Sequence, residues 1–152
     1  MPGAASTVSV LAILPAWEDQ ISLRQIFWHS NWSLHFARDV AHARNLIDEI
    51  GVGVVICDGR LPDGSWQDVL REVQRGREQP VLIVVSRVAD DRLWAEVLNL
   101  GGYDVLAMPF EAAEVVRSVS VAWRHWQDKL AVRDRLSGRV MAAGSRSWPR
   151  DS

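Results

Sequence analysis

The sequence is short of several chemistries. In 152 residues it holds one lysine, Lys129, and one cysteine, Cys57. A single cysteine excludes an internal disulfide and any multi-cysteine metal cage. No apolar run approaches the roughly 20 residues needed to cross a bilayer, so no membrane partner is expected. The four histidines, His29, His35, His42 and His125, lack metal-ligand spacing. Surface or satisfied histidines fit them better than a zinc site. No glycine-rich phosphate loop follows the first apolar run, which argues against a nucleotide or flavin binder. The N-terminus "MPGAASTVSV" has no charged region before its apolar stretch. It does not read as a signal peptide, and a cytoplasmic location is the default expectation.

What is present suits one globular domain with room for a tail. Apolar residues make up 48% and charged residues 24% of the chain, enough for a real core. The net charge of −2 carries no nucleic-acid signature. Charge is unevenly spread. Residues 1–128 hold 17 acids against 11 Lys/Arg, whereas residues 129–152 hold six Lys/Arg against two acids. The basic end is too short and irregular for a DNA-binding domain.

Apolar runs of strand length alternate with stretches of helical period. Val8–Leu14 reads as a first strand, followed by a helix with Ile21, Leu23, Ile26 and Phe27 at helical spacing. Ser33–Ala37 is a short second strand. Asp39 is placed to cap the next helix and Gly51 to stop it. "VGVVIC" is a third strand, and Ser65 with Asp68 resembles a capping box opening a third helix. Val81–Ser86 is a fourth strand. A fourth helix stops at Gly101 and Gly102, and "VLAMP" is a fifth strand before a long last helix from about Glu111. Five βα units with continuously apolar strands argue for a parallel sheet covered on both faces. The last helix carries apolar Val115, Val119, Ala122, Trp123, Trp126 and Leu130, a stripe longer than a small sheet can cover. The domain is expected over 8–127, a helical extension over 128–136, and an irregular, disordered tail over 137–152.

In open parallel α/β sheets, ligands sit beyond the carboxyl ends of the strands. Those ends carry Leu14-Pro15-Ala16, Cys57-Asp58, Val85-Ser86 and Met108-Pro109. Asp58 is the one charged side chain among them. Cys57, its neighbour on a strand, should face the other way as a buried, inert thiol.

The segment "DGRLPDG" after the third strand, Ser86 ending the fourth, and "GGYDVLAMPF" (101–110) resemble the receiver domain of two-component response regulators. The resemblance covers about Val8 to Gln127. It implies a doubly wound five-stranded sheet of order 2-1-3-4-5, flavodoxin-like, in three α/β/α layers. It implies Asp58 as phosphoacceptor and Ser86 as the hydroxyl contacting the phosphoryl group. In the family an aspartate oxygen attacks the phosphorus of a phosphohistidine. A magnesium ion held by carboxylates offsets the charge, and a lysine pairs with the phosphoryl oxygens.

This chain departs from that pattern. The acidic-pair positions hold Pro15 and Ala16, the lysine position Met108, and the aromatic switch position Val105, with Tyr103 two residues early. Glu18 and Asp19 follow as candidate weak metal ligands, although acids at a helix N-terminus are stabilised there without a ligand. Arg60 and Arg87 lie near the site in sequence; they read as surface residues that can lend it positive charge. The expectation is a stand-alone, degenerate receiver-like module of a bacterial pathway. It is not an enzyme beyond slow self-phosphorylation, and it uses no cofactor beyond weakly bound magnesium. Its partners would be a histidine kinase or a downstream effector. The alternatives are a phosphorylation-independent interaction module and a small-ligand site where the metal would sit. The chain has eight tryptophans. Trp17 and Trp66 are expected to border the Asp58 pocket. Trp123 and Trp126 would pack on the sheet or on a partner, and a homodimer through the fourth and fifth helices is expected.

Overall fold

A computed structural model describes residues 7–76 and 78–146, the last eight of these as backbone. Five strands form one parallel sheet: β1 (Ser9–Ile13), β2 (Ser33–Ala37), β3 (Val54–Asp58), β4 (Val81–Ser86) and β5 (Asp104–Ala107). Their order is β2-β1-β3-β4-β5. Five helices join and cover them: α1 (Trp17–Phe27), α2 (Val40–Ile50), α3 (Trp66–Arg75), α4 (Asp91–Leu100) and α5 (Ala112–Arg146). The expected fold class and strand order are those observed.

Successive side chains on a strand point to opposite faces, so each apolar strand feeds two cores. Val10, Ala12, Val54, Ile56, Ile83 and Val85 meet α1 and α5 through Leu23, Phe27, Val115 and Val119. Leu11, Ile13, Val55, Cys57, Leu82 and Val84 meet α2, α3 and α4 through Ala43, Ile47, Val69, Val73 and Val97. Both sets are buried, which is why the strands read as unbroken apolar runs. Cys57 lies in the second core, on the face opposite its neighbour Asp58, and burial raises its thiol pKa.

The helix ends follow local chemistry. Asp39 accepts a hydrogen bond from the His42 N–H at 2.9 Å, and Gly51 closes α2 at φ 75°. The Ser65–Asp68 capping box is present at the start of α3. Asp90 accepts from the Leu93 N–H at 2.9 Å to open α4.

The last helix corrects one expectation. It runs 35 residues to Arg146, through Ser137 and Gly138, where the sequence reading places an irregular tail. Residues 147–152 lie outside the described residues. Its apolar stripe is spent inside the molecule: Trp123 and Trp126 are buried, with ring centroids 4.8 Å apart. The Trp126 Nε1–H donates to the Glu78 carbonyl at 2.9 Å. Both indoles press on Gly53, the residue before β3. A Cβ there would sit 2.5 Å from each ring.

That contact predicts the effect of one methyl group. Gly53→Ala should destabilise the domain by about 1–3 kcal/mol through overpacking, read as a lower urea midpoint with an unchanged m-value.

Candidate functional site

The carboxyl ends of β3, β4 and β5 open onto one cleft of about 690 Å³. Asp58, Trp66, Ser86, Arg87, Arg92 and Met108 are among its lining residues. Asp58 pairs with Val85 in the sheet register and Ser86 with Ala107, so the acid and the hydroxyl stand on adjacent strands. The structure therefore brings Asp58, Ser86 and Met108 together, as the strand ends predict. Trp66 also lines the cleft and is buried. Trp17, expected beside it, is instead 63% exposed and does not line it. It is the first residue of α1, and its ring projects into solvent.

The loop after Asp58 has a physical reason at each step. Asp58 Oδ1 accepts from the Arg60 N–H at 3.1 Å, and the Gly59 N–H donates to the Val85 carbonyl at 3.0 Å. Arg60–Leu61 then pairs antiparallel with Gly64–Ser65 in a small ribbon. The second acid of the loop, Asp63, is a helix cap. Its carboxylate accepts from the Val40 N–H at 2.8 Å and the Ala41 N–H at 3.1 Å, at the start of α2. Gly64 is required by a close approach, because a Cβ there would lie 2.4 Å from the Asp68 carboxylate that completes the α3 capping box.

Asp58 is half-buried, and its carboxyl is pushed above the ordinary 3.8. Burial is the main cause, and the negative charge of Asp19 adds to it. The Arg60 N–H, the Arg87 guanidinium and the Gly59 N–H pull the other way. Ser86 Oγ accepts from the Val88 N–H at 3.0 Å, so the hydroxyl is engaged in its own turn.

The feature that sequence reasoning missed is the pairing of Asp19. This residue is 5% exposed, on the inward face of α1 with Leu23 and Phe27. Arg87 Nη2 lies 2.8 Å from its Oδ1, and Arg87 Nη1 lies 3.2 Å from its Oδ2. Nη1 also lies 3.7 Å from the sulfur of buried Met108. Arg87 is exposed, as the sequence reading expects, yet its guanidinium is tied to a buried carboxylate and it lines the cleft. The 19-23-27 spacing carried a signal: it places an acid on a buried helix face, where a partner is required.

Magnesium takes oxygen ligands in near-octahedral geometry. Pro15 and Ala16 offer no side-chain oxygen, both Asp19 oxygens face Arg87, and Glu18 is exposed. This donor set does not suit magnesium. Among the described residues, no group of three or more His, Cys, Asp or Glu is arranged to hold a metal ion. Val105, which the resemblance sets at the aromatic switch position, is half-buried and shares a shallow hollow with Trp94 of α4. Tyr103 is engaged elsewhere, against His125 of α5 with ring centroids 5.3 Å apart.

Parallel strands in this order, with an acid ending β3 and a hydroxyl ending β4, form a flavodoxin-like sheet whose carboxyl edge carries the site. The chain belongs to the response regulator receiver domain family, whose model matches residues 19–120. It is 26% identical over 110 residues to the transcriptional regulatory protein CpxR of Klebsiella pneumoniae, covering 70% of this chain and 46% of that protein. The chain spans less than half the length of the curated relatives it matches. Among solved structures, it is similar to the signal receiver domain of an HD domain-containing protein from Pseudomonas fluorescens Pf-5. There the TM-score is 0.73 at 24% identity, over 80% of this chain and 98% of that one. It is also similar to the beryllofluoride-activated NtrC4 receiver domain dimer, with a TM-score of 0.72 at 19% identity over 78% and 98% of the two chains. At these identities the structures show the fold alone. No helix among the described residues is long and apolar enough to cross a membrane.

Two carboxylates yield predictions of opposite sign. A raised native pKa means that Asp58 costs stability when ionised, and the cost disappears as pH falls through its raised value. Asp58→Asn should therefore raise the melting temperature at pH 7, with the gain closing below the ordinary 3.8. Asp63 is held below that value, chiefly by the Val40 N–H. It contributes stability at neutral pH that is lost as pH falls through its lowered value. Asp63→Ala should lower the melting temperature at pH 7 and have a shrinking effect in acid, both measured by circular dichroism.

Proposed function

We propose that this receiver domain signals mainly through protein contacts and that Asp58 accepts a phosphoryl group slowly at best. The observation that carries this reading is the charge arrangement around Asp58. Asp19, whose charge acts on Asp58, is clamped by Arg87, and an uncharged methionine stands at the lysine position. Phosphoryl transfer relies on fixed positive charge meeting the developing negative charge. Each such group typically contributes about 10²–10³ in rate. The partners fitting this reading are a histidine kinase and a downstream effector, in the cytoplasm. The contact surface we assign is α4 with β5, where half-exposed Trp94 shares a hollow with Val105 and Leu100 of α4 is also half-exposed. A homodimer through this face and α5 belongs to the same proposal, supported by the relative described as a receiver domain dimer.

The test is labelling of the full chain with acetyl phosphate and magnesium, followed by intact mass. Wild type should label at least about 100-fold more slowly than a variant carrying Pro15→Asp, Ala16→Asp and Met108→Lys. Rapid wild-type labelling, abolished by Asp58→Asn, would overturn the proposal.

A further inference from the structure

We propose that Arg87 is the resident cation of the Asp58 cleft, a guanidinium built into the chain at the place where a receiver of this fold would recruit a divalent ion. The inference deepens the proposed function but rests on separate geometry. An arginine merely decorating the surface has no reason to meet a buried carboxylate with both of its terminal nitrogens. Arg87 does so at 2.8 and 3.2 Å, reaching from the end of β4 to the first turn of α1 across 68 residues of sequence. A planar guanidinium matches a carboxylate in this two-point way, whereas an ammonium does not.

Three further observations tie this charge to the cleft. Met108 packs its sulfur 3.7 Å from Nη1, so the lysine position supplies an apolar support for the guanidinium instead of a second cation. The negative charge of Asp19 acts on Asp58, and the Arg87 guanidinium offsets it there. Pro15 and Ala16 place no acid in the loop between β1 and α1, and Glu18 on the first turn of α1 adds its charge to the field at Arg87 without displacing Asp19.

Two acids near one another need a counter-charge. A mobile ion would supply it only when bound, whereas Arg87 supplies it at all times. The cleft should therefore hold its charge balance, and its α1–β4 contact, independently of magnesium concentration. A free divalent ion approaching Asp58 meets a fixed positive charge and finds both Asp19 oxygens already paired with it.

The experiment is nuclear magnetic resonance on the full chain with added magnesium, and with manganese as a paramagnetic probe. For wild type, the amides of Asp58, Gly59 and Ser86 should neither shift nor broaden through the millimolar range. Arg87→Met should free Asp19 and gain manganese affinity by at least about tenfold, the scale of losing one close cation. Arg87→Lys, which keeps the charge but loses the two-point fork, should gain less manganese affinity than Arg87→Met. Site-specific broadening in wild type overturns the inference, and this measurement needs no variant to fold. An Arg87→Met chain that folds yet ignores the metal also overturns it, as does an Arg87→Lys chain that binds metal as well as Arg87→Met. Rapid wild-type labelling by acetyl phosphate in chelator would overturn the proposed function while supporting the resident cation.

Discussion

Burial of the parallel sheet on both faces is the constraint from which the rest follows. The three central strands have no solvent-facing side, so a charged side chain along their length would lose its hydration without a partner. Charge is therefore pushed to the strand ends. Asp58 ends β3, Ser86 ends β4, and Arg87 is the first residue beyond it. The same constraint makes Asp19 expensive to leave alone, because it lies on the face of α1 that meets the sheet. Its pairing with Arg87 answers a cost set by the fold before any ligand is considered.

This ordering explains why the cleft differs from what the resemblance implies. Replacing the acidic pair by Pro15 and Ala16 removes negative charge from one wall. Replacing the lysine by Met108 removes positive charge from another. Two negative charges are lost against one positive, so the losses cancel neither in number nor in geometry. The Arg87 guanidinium starts just beyond β4 and reaches toward α1, so it rests on Asp19 with the methionine sulfur beside it. An acid that reads as a candidate metal ligand becomes half of an internal ion pair.

Much of the fold was legible. Val81–Ser86 and Ser33–Ala37 coincide with observed strands because apolar runs bounded by turns leave little freedom. Asp39, Gly51 and the Ser65–Asp68 box act where their local chemistry places them. The meeting of Asp58, Ser86 and Met108 followed from strand order alone. The remainder was hidden for physical reasons. The Asp19–Arg87 contact joins residues far apart in sequence and leaves no local pattern. Asp63 reads as a turn residue, yet its carboxylate serves a helix that begins 23 positions earlier. Trp17 was misplaced because a strand-end position does not determine which way a ring turns. The end of α5 was misjudged because Ser137 and Gly138 weaken a helix without stopping it.

The long α5 has a mechanical consequence. Its root is wedged against the sheet by the two indoles seated on Gly53, while the described side chains from Ala131 to Gly138 touch water throughout. From Trp126 to Arg146 the rod extends about 30 Å at 1.5 Å per residue. A pivot of about 10° at the wedge would swing the far tip through about 5 Å, by simple trigonometry on that length. Small repacking beneath Trp123 is thereby magnified at a distance, which makes this spoke the domain's natural amplifier.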